Sequence, residues 1–88
     1  MAYSVELTRS AEKELSRLSA SAKGRMLEAL EFLALNPFSE ILNIKKLKGA
    51  EWVYRLRVGD YRLVYEVQKQ PRRVLVVKIG HRKEVYRD

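Results

Sequence analysis

Trp52-Val-Tyr-Arg-Leu-Arg-Val-Gly59-Asp60-Tyr-Arg-Leu-Val-Tyr-Glu-Val-Gln68 is the stretch on which the fold turns. Two runs rich in β-branched and aromatic residues alternate apolar with polar positions on either side of Gly59-Asp60. A two-residue loop with glycine at its first central position suits a type II′ hairpin turn. That loop fixes a register in which Val58 faces Tyr61, Arg57 faces Arg62 and Leu56 faces Leu63. Successive side chains of a strand point to opposite faces. One face therefore collects Trp52, Tyr54, Leu56, Val58, Tyr61, Leu63, Tyr65 and Val67, all apolar or aromatic, and reads as the core side. The other collects Val53, Arg55, Arg57, Arg62, Val64 and Glu66.

Working outward from the hairpin, the turn-like Lys69-Gln-Pro-Arg-Arg73 leads to a third run, Val74-Leu-Val-Val-Lys-Ile79. Its alternation predicts Leu75, Val77 and Ile79 on the core side. Val74, Val76, Lys78, Gly80 and Arg82 fall on the side of the arginines, and His81 falls on the side away from them. Toward the N-terminus, Tyr3-Ser-Val-Glu-Leu-Thr8 alternates as a short strand does. Thr8 or Ser10 can cap a helix whose face is Ala11, Leu15 and Leu18. Ser19 or Ser21 can cap a second helix striped by Ala22, Met26, Leu30 and Leu33, reinforced by Leu27, Ala29 and Ala34. Asn36-Pro37 ends it, because a residue before proline resists the helical region. The segment from Pro37 through Lys45-Lys46-Leu-Lys48-Gly49 reads as a loop. The order is β-α-α-β-β-β, an α+β domain with a helical hairpin packed on one face of a small, largely antiparallel sheet.

Composition narrows the class. The chain has 88 residues, enough for one domain spanning 1–88, and its 47% hydrophobic content suits a folded globule. It has no cysteine, which excludes disulfides and thiolate metal sites. No run approaches the roughly 20 apolar residues of a membrane span, and Glu6, Arg9, Glu12, Lys13 and Glu14 break any signal-peptide pattern, so a cytoplasmic location is expected. The net charge is +7. It is unevenly spread, with five basic against six acidic residues in 1–44 and thirteen against five in 45–88. A polyanion or an acidic protein is expected to meet the C-terminal half.

The arginine face carries the chemistry. Two guanidiniums directly opposed across a strand pair repel, and Arg55 stands two residues away on the same face. Such a cluster costs stability, and guanidinium forks match phosphate oxygens in bidentate geometry. An anion-binding function is the expectation, with Lys45, Lys46, Lys48 and Lys78 as further phosphate contacts. Arg82 and Tyr86 follow the last strand, where a ring can stack on a base. His81 is the single histidine, and the sequence has no metal-ligand spacing, Gly-rich phosphate loop or nucleophile elbow. No cofactor is implied.

Three segments together resemble the RelE/ParE superfamily of type II toxin–antitoxin toxins, RelE-like branch. They are Lys46-Leu-Lys-Gly49, Tyr54-Arg-Leu-Arg-Val-Gly-Asp-Tyr-Arg-Leu-Val-Tyr-Glu-Val67 and Ile79-Gly-His-Arg-Lys-Glu-Val-Tyr86. The opening Met1-Ala-Tyr-Ser-Val-Glu-Leu7 and Ser10-Ala-Glu-Lys-Glu-Leu15 also match, so the resemblance spans essentially the whole chain. It implies a toxin that cleaves messenger RNA on the ribosome and is neutralised by an antitoxin that wraps it. ParE-like members of the same superfamily instead poison DNA gyrase, and an RNA-binding relative without activity is a third reading.

For the nuclease, the resemblance places site roles on Arg55, Arg57, Arg62, Arg82 and Tyr86. In such a reaction a ribose 2′-hydroxyl attacks the adjacent phosphorus in line, and fixed cations stabilise the charge that gathers on the phosphate oxygens. Arg55 and Arg62 are candidate phosphate clamps, Arg82 the candidate to stabilise or protonate the 5′-oxygen leaving group, and Tyr86 the ring that stacks on or orients the nucleotide. Where family members can carry a lysine as general base, this chain has Arg57, which stays protonated. His81 is better suited to moving a proton near neutral pH.

Overall fold

The computed structural model describes residues 2–47, 49 and 51–81. Seven elements follow in order: β1 (Ser4–Leu7), α1 (Arg9–Ser16), α2 (Ala20–Leu35), β2 (Ile44–Lys46), β3 (Val53–Val58), β4 (Tyr61–Lys69) and β5 (Arg72–His81). The strands form one sheet in the order β1-β5-β4-β3-β2. β1 runs parallel to β5, and the other neighbouring pairs are antiparallel. Both helices pack on the same face, giving the expected α+β arrangement.

Local chemistry sets the boundaries. Thr8 caps α1 by accepting a hydrogen bond from the Ala11 amide, and Ser19 caps α2 by accepting from that of Ala22. Asn36 closes α2 in an extended conformation ahead of buried Pro37. Thr8 also fastens helix to sheet: its amide donates to the Val76 carbonyl at 2.9 Å and its hydroxyl to that of Val77 at 3.4 Å. Gly59 turns the β3–β4 hairpin at φ +60, the sign a type II′ loop needs at its first position.

The hairpin register is the one the loop dictates, with Val58 opposite Tyr61, Arg57 opposite Arg62 and Leu56 opposite Leu63. Leu56, Leu63, Tyr65 and Val67 are buried against Ala11, Met26, Ala29, Leu30 and Leu33 of the helices. Tyr65 is fully buried, and its hydroxyl donates to the Pro37 carbonyl at 2.7 Å, tying the segment after α2 to mid-sheet. Burial, with the neighbouring Tyr54 adding to it, holds the Tyr65 phenol well above its ordinary range.

Four expectations are corrected. In β5 the buried residues are Val74 and Val76 together with Ile79, not Leu75 and Val77. Val64 pairs with Lys78 and Tyr65 with Val76, so Val77 is an extra residue, and this bulge reverses the phase of the strand halfway along. Val74 and Val76 thus face the core before it, while Lys78 and Gly80 lie on the arginine side after it. Trp52 is 40% exposed, because β3 begins one residue later and Trp52 itself turns at φ +66. Its ring instead meets Phe38 edge-on and lies under the Lys69 ammonium at 4.3 Å. Leu27 is 47% exposed, on the outer side of α2, and takes no part in the core stripe. The segment expected to be a loop supplies a short edge strand, β2, paired to β3 through Ile44–Leu56, Lys45–Arg55 and Lys46–Tyr54.

Beyond Val76, β5 continues past the end of β1. There α1 shields the strand edge: the Glu14 carboxylate accepts the Ile79 amide at 2.8 Å and pairs with the Lys78 ammonium at 3.3 Å. A carboxylate on an open edge occupies the groups that a foreign strand would use.

Candidate nucleic-acid interface

Register converts the arginine face into two rows running across the sheet. Lys45 of β2, Arg55 of β3, Val64 of β4 and Lys78 of β5 stand side by side in one. Arg57, Arg62 and Gly80 form the next, toward the β3–β4 turn. Neither row contains a carboxylate. The acids of this face lie at its other end, where they are already engaged. Glu66 accepts from the Gln68 amide, whose oxygen accepts from Arg73, and Arg73 reaches Glu6 at 3.2 Å. The same face is therefore neutralised at one end and cationic at the other.

The cations differ in setting. Arg57 is exposed, whereas Arg55 and Arg62 are half-buried. The Nε and Nη1 atoms of both half-buried arginines are shut off from solvent, and each residue has a partner. A guanidinium partly withdrawn from water meets an anion with less competition from solvent than an exposed one does. Arg57 lines a cavity of about 290 Å³ that passes around the sheet edge to Arg25, Glu28 and Phe32 of α2. Arg25 stands with Glu28 on the helix side of that cavity, near the turn end of the arginine rows. No sequence signal pointed to it, since it belongs to a helix far from the hairpin in the chain.

The remaining expected site residues separate. Lys78 is in the row of Arg55 by register, but its ammonium turns to Glu14. Lys46 pairs with Tyr54 and so belongs to the opposite face. His81 pairs with Tyr61, with ring centroids 5.6 Å apart and the planes at 72°, on the helix side of the sheet. It lines a cavity of about 420 Å³ with Glu14, Arg17, Leu18 and Tyr61, so the sheet stands between the imidazole and the arginine rows. Arg82, Tyr86 and Lys48 lie outside the described residues. Among the described residues no group of three or more His, Cys, Asp or Glu could hold a metal ion, and no helix is long and apolar enough to cross a membrane.

A family model described as the ParE toxin of the type II toxin–antitoxin system parDE matches residues 5–86. The chain belongs to the RelE/ParE toxin superfamily. It is thereby a toxin of a type II toxin–antitoxin system. Relatives within the superfamily carry RelE-type names. RelE1 of Methanocaldococcus jannaschii is 35% identical, covering 100% of this chain and 99% of its own length. Toxin RelG of Mycobacterium tuberculosis is 30% identical over 99% of both. Among solved structures, RelE in the archaeal RelE–RelB complex of Pyrococcus horikoshii superimposes with a TM-score of 0.82 at 30% identity, covering 97% of this chain and 100% of that one. The isolated E. coli RelE toxin gives 0.81 at 26% identity, covering 99% and 88%. These RelE/ParE proteins share the arrangement of two helices on an open, mostly antiparallel five-stranded sheet.

Proposed function

We propose that this RelE/ParE toxin is a ribosome-dependent endoribonuclease that cleaves messenger RNA by attack of a 2′-hydroxyl on the adjacent phosphodiester. The observation that carries this reading is the opposed pair Arg57–Arg62, set beside Arg55 and Lys45 in rows without a carboxylate. Like charges opposed across a sheet cost stability, and a bound phosphate offsets that cost. RelE-type relatives at 30% identity and above support the same reading.

Cleavage forms a bond from the 2′-oxygen to phosphorus and breaks the bond from phosphorus to the 5′-oxygen, leaving a 2′,3′-cyclic phosphate. The 2′-hydroxyl proton passes to water, and the 5′-oxygen leaves with a proton from Arg82 or from water. Arg55 and Arg62 clamp the non-bridging oxygens, and Arg57 stabilises the charge that accumulates there. Removing one such contact costs about 2.7–4 kcal/mol in comparable oxyanion sites. Arg82 stabilises the departing 5′-oxygen and Tyr86 stacks on the nucleotide. His81 faces away from the rows, so proton transfer by this residue requires RNA to reach around the end of β5. On this reading catalysis rests on positioned charge more than on a strong base.

The partners proposed are messenger RNA on the ribosome and a cognate antitoxin. The Pyrococcus RelE structure is of a complex with RelB, and an acidic, partly disordered antitoxin segment suits the cationic end of this face. A second reading, a gyrase inhibitor without nuclease activity, is favoured by the ParE description of the matching family model.

Primer extension on a reporter messenger RNA after brief induction separates the two. Cuts within the reading frame that vanish when translation is blocked are expected. Growth arrest with intact RNA overturns the nuclease and leaves the gyrase reading, with the arginine rows then a protein-binding surface.

A further inference from the structure

At the turn end of the sheet β3 outruns its neighbour. β2 begins at Ile44, opposite Leu56, while β3 runs on through Arg57 to Val58. The incoming chain reaches this edge at Asn43, whose carbonyl accepts the Arg57 amide at 3.1 Å. Between the end of β3 and α2 lies the cavity of about 290 Å³. Ala29 and Leu56, the buried residues that line it, are apolar, and Phe32 beside them is 50% exposed. The charged residues that line it, Arg25, Glu28 and Arg57, are all exposed. Arg25, Glu28 and Phe32 are spaced three and four residues apart, so they share one side of α2.

An apolar space with a few polar groups at its margin is the usual form of a small-ligand site, and such sites start at roughly 300 Å³. Proteins that read unpaired RNA use this combination: a base swung out of the strand stacks on an aromatic ring, and side chains hydrogen-bond its edge. Arg57 belongs both to the arginine rows and to this cavity, so a nucleotide whose phosphate rests on Arg57 brings its base to the mouth of the space beside Phe32. A carboxylate accepts from an exocyclic amino group. Uracil has none, and its carbonyl oxygens meet a carboxylate unfavourably. An apolar side chain of a protein would also fill the interior. It has no use, however, for the donor and acceptor that Arg25 and Glu28 present side by side, whereas the edge of a base uses both.

We propose that this cavity is a base pocket: it takes one unpaired base of the bound RNA, stacked on Phe32, and Glu28 selects bases that carry an exocyclic amino group over uracil. The proposal rests on the nucleic-acid reading above and deepens it into a sequence preference.

The test compares Phe32→Ala and Glu28→Gln with the wild type and with Leu27→Ala, a change on the same helix at a 47% exposed residue outside the cavity. Three quantities are measured: thermal unfolding, the positions of cuts in a reporter messenger RNA on translating ribosomes, and anisotropy of fluorescein-labelled oligoadenylate and oligouridylate at fixed salt. All the variants should unfold near the wild-type temperature, as exposed substitutions do. The wild type should bind oligoadenylate about tenfold more tightly than oligouridylate, and Phe32→Ala should weaken oligoadenylate binding about tenfold or more. Glu28→Gln should erase the difference between the two RNAs without weakening either, since it removes a negative charge. In the cut sites, uracil should be avoided at one fixed position by the wild type and accepted there by Glu28→Gln. Leu27→Ala should match the wild type throughout. Wild-type behaviour of Phe32→Ala overturns the proposal and leaves the cavity to a protein side chain. Equal binding of the two RNAs by the wild type overturns it as well, as do losses that merely track a lowered unfolding temperature or that Leu27→Ala shares. If the wild type does not cleave at all, the nuclease reading fails by itself, and the anisotropy outcomes alone then sustain or overturn the base pocket.

Discussion

Replacing Tyr65 by phenylalanine removes one oxygen from the most enclosed polar contact among the described residues. The ring is fully buried and stacks on Tyr54 with centroids 5.8 Å apart, and that packing survives the change. What is lost is the 2.7 Å hydrogen bond to the Pro37 carbonyl. A buried acceptor deprived of its donor costs about 1–3 kcal/mol. At roughly 4–8 °C per kcal/mol for a domain of this size, a mid-range cost of about 2 kcal/mol lowers the midpoint by about 8–16 °C.

The effect carries a pH signature. The phenol ionises near 10.0 in the unfolded chain, and burial, with Tyr54 second, raises it in the folded one. Above pH 10 the unfolded chain gives up this proton while the folded chain keeps it. The unfolded state then binds fewer protons, and stability falls as pH rises. Below pH 10 the contribution is fully present. Thermal unfolding followed by circular dichroism at pH 7 and again above pH 10 is the assay. The gap between wild type and Tyr65→Phe should be largest at neutral pH and narrow in alkali. Equal midpoints at pH 7, or a gap that does not change with pH, refutes the reasoning.

Three further outcomes are expected. Arg57→Gln relieves the cross-strand repulsion, leaving stability unchanged or raised by about 0.2–1 kcal/mol. It should slow single-turnover messenger RNA cleavage by about 10²–10³-fold, and a parallel loss of both properties in the two assays counts against a site on this face. Glu14→Ala leaves the Ile79 amide without its acceptor and bares the β5 edge. A loss of about 1–3 kcal/mol in denaturant titration, with concentration-dependent association in light scattering, is expected, and Glu14→Gln should recover most of the stability. Leu33→Ala, at a fully buried position, should cost about 2–5 kcal/mol by urea unfolding.

The hairpin was legible because two independent signals agree there. Gly59-Asp60 dictates a turn, and strict alternation on both sides of it fixes which residues are opposed, so the Arg57–Arg62 pair could be placed before any coordinates. Each helix cap was narrowed to two residues, Thr8 or Ser10 and Ser19 or Ser21, because both of each pair stand just ahead of an apolar stripe, and the structure takes the first of each. β5 was half legible. Alternation presumes an unbroken pleat, and the extra residue Val77 breaks it while leaving no trace in composition. β2 escaped because three residues, two of them lysines, are too few to display a period, and its strand character comes from pairing with β3. Trp52 misled because an aromatic residue in phase with a core face looks buried unless its backbone is known to turn. Of the site, the rows on β3 and β4 followed from the register. The diversion of Lys78 to Glu14 depends on a contact between positions 64 residues apart, and nothing local announces it.

Every fully buried apolar side chain of the sheet points toward the helices. The arginine rows are accordingly spare lettering on the back of a page whose text is printed on the front. Residues there can change with little effect on whether the chain folds, so a lineage can pass from one target to another through intermediates that are all folded. One scaffold can in this way carry different outer faces, because the side of the sheet that folds the chain is not the side left open to a partner.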